Sequence, residues 1–453
     1  MKETSNLIQG KIYKTLVRFA LPIILTLFLQ SLYGAVDLLV VGQFATTADV
    51  SGVSTGSMIM HSITMVMSGQ AMSVTALVGN RIGENRPKDA GKAIGAGLCL
   101  FTALTIILMA VLIPLSPVLA RLMKAPQEAF SQTVSYLRIC FSGFCFVIAY
   151  NILGGIFRGI GDSITPLITV SISCVLNIIC DILFVAVFHM GASGAAYATI
   201  MSQAVSVLTS FLFIRKKQLP IKFNIKEDLH FDSLIIKTEI KIGAPIAISE
   251  LLVGLSFMVI QALANNISLV SSAGIGVGEK VCGFIMLIPS AFSQSMTAFV
   301  AQNIGADKPE RAKKALLYGI LTSACFGVIM FYIAFFHGNL LAQIFDNSPD
   351  VIVAAHSYLK AYAIDCMLTP FLFCMLGYFN GYGKTTFVMF QGIFSAFCIR
   401  TPLAIIFSKL PNSSLFLIGL STPCASTIQI LMGLLMLVHI ENQRKKGLLK
   451  AHL

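Results

Sequence analysis

The 453 residues contain no tryptophan and little charge: 11% are Asp, Glu, Lys or Arg, against roughly 25% in a typical soluble domain. With 56% hydrophobic residues and a mean hydropathy of +0.84, such a chain cannot hide its apolar side chains in a water-soluble core. The missing Trp leaves any interfacial belt to Tyr and Phe. No G-x-x-x-x-G-K-[ST] stretch is present, so the chain itself does not use ATP. No C-x-x-C pair occurs among the eleven cysteines, which run from Cys99 to Cys424 inside apolar stretches. They read as small packing residues with free thiols. The first apolar segment is too long for a cleavable signal and lacks a small-residue cleavage site, so it is expected to stay as the first helix.

What is present is a series of long apolar runs. They predict twelve membrane helices, at 15–42, 52–79, 92–113, 133–158, 164–189, 192–215, 239–266, 274–301, 314–335, 356–380, 386–407 and 415–440. The net charge of +12 could suggest nucleic acid, but its placement argues otherwise. With helices alternating in direction, 25 of the 32 Lys and Arg fall on one side, whereas the opposite loops hold Arg121, Lys124 and Lys409. That is the positive-inside pattern, so both termini are expected in the cytoplasm of a bacterial cell, with no nucleic-acid surface.

The chain is also duplicated. Val78-Gly79-Asn80-Arg81-Ile82-Gly83-Glu84-Asn85-Arg86-Pro87 returns, 222 residues on, as Val300-Ala301-Gln302-Asn303-Ile304-Gly305-Ala306-Asp307-Lys308-Pro309. The same shift carries Phe157-Arg158-Gly159-Ile160-Gly161 onto Phe379-Asn380-Gly381-Tyr382-Gly383, and a shift of 223 carries Pro22 onto Pro245. Both paired stretches read as loops or turns. The prolines read either as tolerated first-turn residues or as bends that flex. A hydrophilic stretch with Lys216, Lys217, Lys222, Lys226, Lys237 and Lys241 divides the halves. The expected organisation is a six-helix lobe over 1–218, a cytoplasmic linker over 219–238 and a second six-helix lobe over 239–453. Six is even, so the lobes share one orientation, as in parallel-repeat transporters with a substrate cleft between lobes. A receptor or scaffold gains nothing obvious from this arrangement.

The paired stretches, with Arg158-Gly159-Ile160-Gly161-Asp162, Ala20-Leu21-Pro22 followed by Asp37 and Gly42, and Arg400-Thr401-Pro402-Leu403-Ala404, resemble the multidrug and toxic compound extrusion (MATE) transporters, and Asp37 with Asn177 and Asp181 resembles the proton site of their DinF-like branch. The likeness spans nearly the whole chain in the family's order. It implies an all-α polytopic membrane protein with twelve helices in two pseudo-symmetric lobes. The major facilitator superfamily fits less well, because Gln302-Asn303-Ile304-Gly305-Ala306 is foreign to its loops. Gly159-Ile160-Gly161-Asp162 also matches the G-x-G-D of intramembrane aspartyl proteases. Here it falls at a helix end, and its copy ends in Lys384, so a turn is the better reading and no enzyme is expected.

Intramembrane ionisable residues are costly and usually functional. Asp37 falls deep in the first span. An Asp at a helix centre costs roughly 2.5–3.5 kcal/mol, comparable with the roughly 4 kcal/mol that protonates an ordinary Asp at pH 7. That suits a proton carrier. Gln30 shares its face two turns earlier, Asn177 and Asp181 share a face of the fifth span, and Thr199 on the sixth can join them. By resemblance, Asp37, Asp181, Asn177 and Thr199 are the cation-coupling residues, and Gln30, Asp37 and Asn151 meet substrate. The ion is a proton, or sodium at Asp37, Asn177 and Asp181. In the second lobe Glu250, Glu279 and Asp365 are further candidates, with Arg400 positioned to neutralise one of them. Expected is a monomeric antiporter of the cell membrane, without cofactor, that exports amphipathic and often cationic organic compounds. Flipping of a lipid-linked oligosaccharide, or export of a native metabolite, is the alternative.

Overall fold

A computed structural model describes residues 7–217, 219–221, 223–411 and 413–446; Lys222, and the side chain of Lys226, lie outside the described part. The described residues are helical throughout, without a strand. In the first half run α1 (Ile12–Phe44), α2 (Thr47–Gly83), α3 (Pro87–Leu122), α4 (Phe130–Ser142), α5 (Phe144–Ile160), α6 (Ile164–Asp181) and α7 (Gly191–Lys216). A short α8 (Ile225–Asp228) lies in the linker. The second half holds α9 (Ser233–Ile267), α10 (Leu269–Ile285), α11 (Leu287–Gly305), α12 (Pro309–Gln343), α13 (Pro349–Gly381), α14 (Thr385–Phe394), α15 (Thr401–Ser408), α16 (Leu415–Gly419) and α17 (Ser421–Lys445). π-Helical turns at Ile182–Val187 and Ser395–Arg400 extend α6 and join α14 to α15. Among the described residues 11 helices are long and apolar enough to cross a membrane, and 12 when the pair Gln127–Ser142 and Phe144–Ile160, bent by 52°, counts as one span. These are the twelve expected from the sequence.

The duplication reappears in backbone geometry. Asn85 and Asp307 both adopt positive φ, at 59° and 54°, and Gly161 and Gly383 do so at 94° and 69°. Each pair is 222 apart. Only three residues of each first stretch form a turn, however. α2 runs on to Gly83 and α11 to Gly305, so 78–83 and 300–305 are helix rather than loop. The reason is burial: Val78, Gly79 and Asn80, like Ala301, Gln302 and Asn303, are packed inside.

In a bilayer helices gain little from hydrophobic exclusion, so close approach through small residues carries association. A side chain at Gly155 would strike the backbone of Ala71, and one at Gly377 that of Ser293. One turn on, Gly159 meets Thr75 and Val78, while Gly381 meets Thr297 and Val300. Every member of these contacts is shifted by 222. The same helix pair, α2 with α5 and α11 with α13, is thus built twice on the same small residues.

Pro22 and Pro245 lie inside α1 and α9, not in their first turns, because these helices begin at Ile12 and Ser233. The first-turn reading is therefore wrong; each proline removes one mid-helix hydrogen bond. The chain forms two compact units. The first comprises Leu21–Ala247, and the second Leu7–Ala20 together with Ile248 onward. Both crossings from one unit to the other fall within three residues of a proline.

Candidate functional site

In the first unit, α1 supplies Asp37, α6 supplies Asn177 and Asp181, and α7 supplies Thr199. Ser173 Oγ donates to the Ser202 carbonyl over 2.8 Å and Ser202 Oγ to the Thr199 carbonyl over 2.8 Å, stitching α6 to α7. Thr199 Oγ1 then donates to Asp37 Oδ2 over 3.1 Å. Asp37 also lies beside Asn177 and Asp181. All three acceptor side chains are buried, with exposures of 6% for Asp37, 1% for Asn177 and 0% for Asp181. Asp37 Oδ1, Asn177 Oδ1 and both Asp181 oxygens nevertheless have no hydrogen-bond partner. The surrounding core is apolar: Val40, Val41, Val53, Val185, Ala192 and Ala195 pack beside it. Two adjacent acids with acceptor atoms to spare, met by the Thr199 hydroxyl, form an acceptor site for a proton or a small hard cation.

Asp181 is the last α-helical residue of its span, and the π turn starts at the next residue. Such π insertions recur at functional sites because they re-aim side chains without ending the helix. In the second unit the π turn ends on Arg400. Each unit thus carries a buried ionisable side chain at the edge of its π turn.

Gln30 and Asn151 do not join the acidic cluster. Gln30 Nε2 donates to the Tyr150 hydroxyl over 2.6 Å. Asn151 Nδ2 bonds the Val147 carbonyl over 2.8 Å, and its Oδ1 accepts from Ser68 Oγ over 3.0 Å. Tyr150 and Ser68 carry no sequence signal of this role, since each becomes a partner only through another helix.

In the second unit Tyr358 donates to Glu279 Oε1 over 2.6 Å. Arg400 donates to Ser256 Oγ over 2.9 Å, and its guanidinium lies 4.2 Å from the centroid of the Phe257 ring. Asp365 and Glu279 lie near its charge, and Ser426 lies near Asp365. Arg400, Asp365 and Glu279 therefore form one cluster, whereas Glu250 is exposed on α9 outside it. The motif aspartate Asp162 accepts from the N–H groups of Ile164 and Thr165, each at 3.1 Å, and pairs with Lys217 at 2.5 Å. It holds a turn to the end of α7. Among the described residues no cluster of three or more His, Cys, Asp or Glu could hold a metal ion.

Up to twelve spans among the described residues, a repeated sequence and a buried acidic site shared by α1, α6 and α7 fit a polytopic membrane transporter. The MatE family model matches residues 22–183 and 245–406, one match in each half. The chain belongs to the MatE family of transporters. It is 26% identical to a probable multidrug resistance protein YpnP of Bacillus subtilis, over 88% of this chain and 89% of that one. To the probable multidrug resistance protein YoeA of the same organism it is 23% identical, covering 93% and 92%. In fold it resembles a crystal structure of MATE in complex with MaL6, with a TM-score of 0.91 at 20% identity, covering 98% of this chain and 100% of that one.

Proposed function

We propose that this chain is a secondary antiporter of the bacterial cell membrane that exports amphipathic, often cationic organic compounds in exchange for protons. The buried Asp37–Asp181 pair carries this reading. Facing carboxylates in an apolar wall repel when both are ionised, and a bound proton relieves that repulsion. Thr199 and Asn177 orient the pair. A proton needs no coordination shell, whereas a sodium ion would draw on all four side chains at once, so the proton is favoured. The positive-inside distribution supports both termini in the cytoplasm. Gln30 with Tyr150, and Asn151 with Ser68, supply the polar contacts to substrate.

Antiport follows from linkage. If substrate and proton favour different conformations, or exclude each other at Asp37, binding of one promotes release of the other. The test is efflux of a fluorescent organic cation from liposomes holding the purified protein, with a pH gradient and a sodium gradient imposed separately. Export driven by the pH gradient, and lost in Asp37→Asn, is expected. Export driven only by sodium would replace the ion, and unimpaired gradient-driven export by Asp37→Asn would remove the carboxyl from the mechanism. The family relationship to proteins named for multidrug resistance motivates the choice of probe.

A further inference from the structure

The other fully buried carboxyl of the first unit is Glu239, with 0% exposure. It sits seven residues into α9, in the half of that helix that belongs to the first unit rather than the second. Both of its oxygens lack a hydrogen-bond partner. The surface opposite is small and apolar. A Cβ at Gly97 of α3 would lie 3.1 and 3.3 Å from the two carboxylate oxygens, and Val74 of α2 lines the same spot. Asp228 of α8, whose backbone lies against Gly95 of α3, turns its carboxylate to the Asn224 N–H instead. Farther along, Gly243 of α9 rests on Gln70 and Ser73, and Gly69 of α2 on Ile246 and Ala247. This half-helix therefore lies flat along α2 and α3, with a carboxyl pressed into the seam.

An ionised carboxylate without a donor cannot be held there at any reasonable cost, because burying an unpaired charge costs far more than binding a proton does. We propose that Glu239 is a second proton-binding site, occupied while the first half of α9 is docked on α2 and α3 and emptied when that half withdraws into water. The proton then acts as a latch: docking requires it, and its loss disfavours docking. The site is separate from the Asp37–Asp181 pair, which lies on α1 and α6. Proton binding at Glu239 does not depend on the antiport reading; its use in a transport cycle does.

Infrared difference spectroscopy on the purified protein in liposomes, with pH stepped, reads protonated carboxyls directly. The expected result is a pH-dependent carboxylic acid band that Asp37→Asn keeps and Glu239→Gln loses. Gly97→Ala, which crowds both oxygens without removing the acid, should weaken or shift that band. Glu239→Gln mimics the protonated form, so the protein should stay folded and its efflux should lose part of its pH dependence. Identical carboxyl bands in wild type and Glu239→Gln would overturn the proposal, as would a band indifferent to Gly97→Ala. If the band behaves as expected but no pH-driven efflux is found, the site stands and the antiport reading falls.

Discussion

Arg400 occupies the least forgiving position among the single residues. It is buried with an exposure of 4%; its guanidinium bonds Ser256 and lies over the face of Phe257, with Asp365 and Glu279 nearby, while its Nε has no hydrogen-bond partner. Removing one partner of a buried charge cluster costs about 3–5 kcal/mol, since the remaining charges are stranded. Arg400→Ala should therefore lower the thermal midpoint of the purified protein in detergent, and adding Glu279→Gln should recover part of the loss. If Arg400→Ala melts like wild type, the cluster is not an electrostatic unit. In the first unit spacing put Asn177 and Asp181 on one face, and the family resemblance added Asp37. Asn177 and Asp181 are one turn apart in an apolar span, and a lone Asp37 or Thr199 in such a span has few places to go. The partners of Gln30 and Asn151 were not foreseen, because Tyr150 and Ser68 reach them across helices, and pairings between helices leave no local periodicity. Glu239 escaped notice for a different reason: it sat at the rim of a lysine-rich stretch read as solvated linker.

At the scale of elements, hydropathy located the apolar middle of each helix and missed the polar ends. α1 starts at Ile12, not 15, and α9 at Ser233, not 239, since helices continue past the hydrocarbon wherever their ends find something to pack on. For α1 that something is in the second unit. Arg311 donates to the carbonyls of Leu7, Gln9 and Gly10 at 3.3, 2.6 and 2.7 Å, and Lys308 to that of Ile8 at 3.1 Å. Asn303 Nδ2 bonds Leu7 as well, at 3.2 Å. These three side chains come from the repeated stretch and the first turn of α12, so the second copy of that stretch clasps the start of the chain. Arg311→Ala should open the clasp without unfolding the spans. Limited tryptic digestion would then cut faster at Lys11 and Lys14, and an unchanged rate would show the clasp to be redundant. The bend at Gly143 had no warning in sequence either. A side chain there would strike Ile200 of α7, so the break marks where α7 comes close.

For the molecule as a whole, the duplication was legible because turns need particular residues at particular positions. Asn85 and Asp307 sit in the left-handed region, which Asn and Asp tolerate better than most residues, and Gly161 and Gly383 need no side chain there. What could not be read is that each unit borrows the opening of the other half's first helix: 233–247 completes the first unit, and Leu7–Ala20 the second. No local pattern reports a contact made across two hundred residues of chain.

That exchange bears on how the protein is made. When the ribosome has delivered α7, the first unit still lacks the face that 233–247 will press against Gly69, Ser73 and Gly97. Six spans will have entered the bilayer with a seam of glycine and serine still unfilled. A polypeptide stopped after Lys217 should accordingly be cleared by membrane proteases faster than one stopped after Ala247, as pulse-chase labelling would show; equal lifetimes would mean the borrowed half-helix contributes nothing to early folding. Residues 7–10, for their part, are translated some three hundred residues before the Asn303, Lys308 and Arg311 that hold them. The clasp on residues 7–10 can therefore form only once the first turn of α12 has emerged.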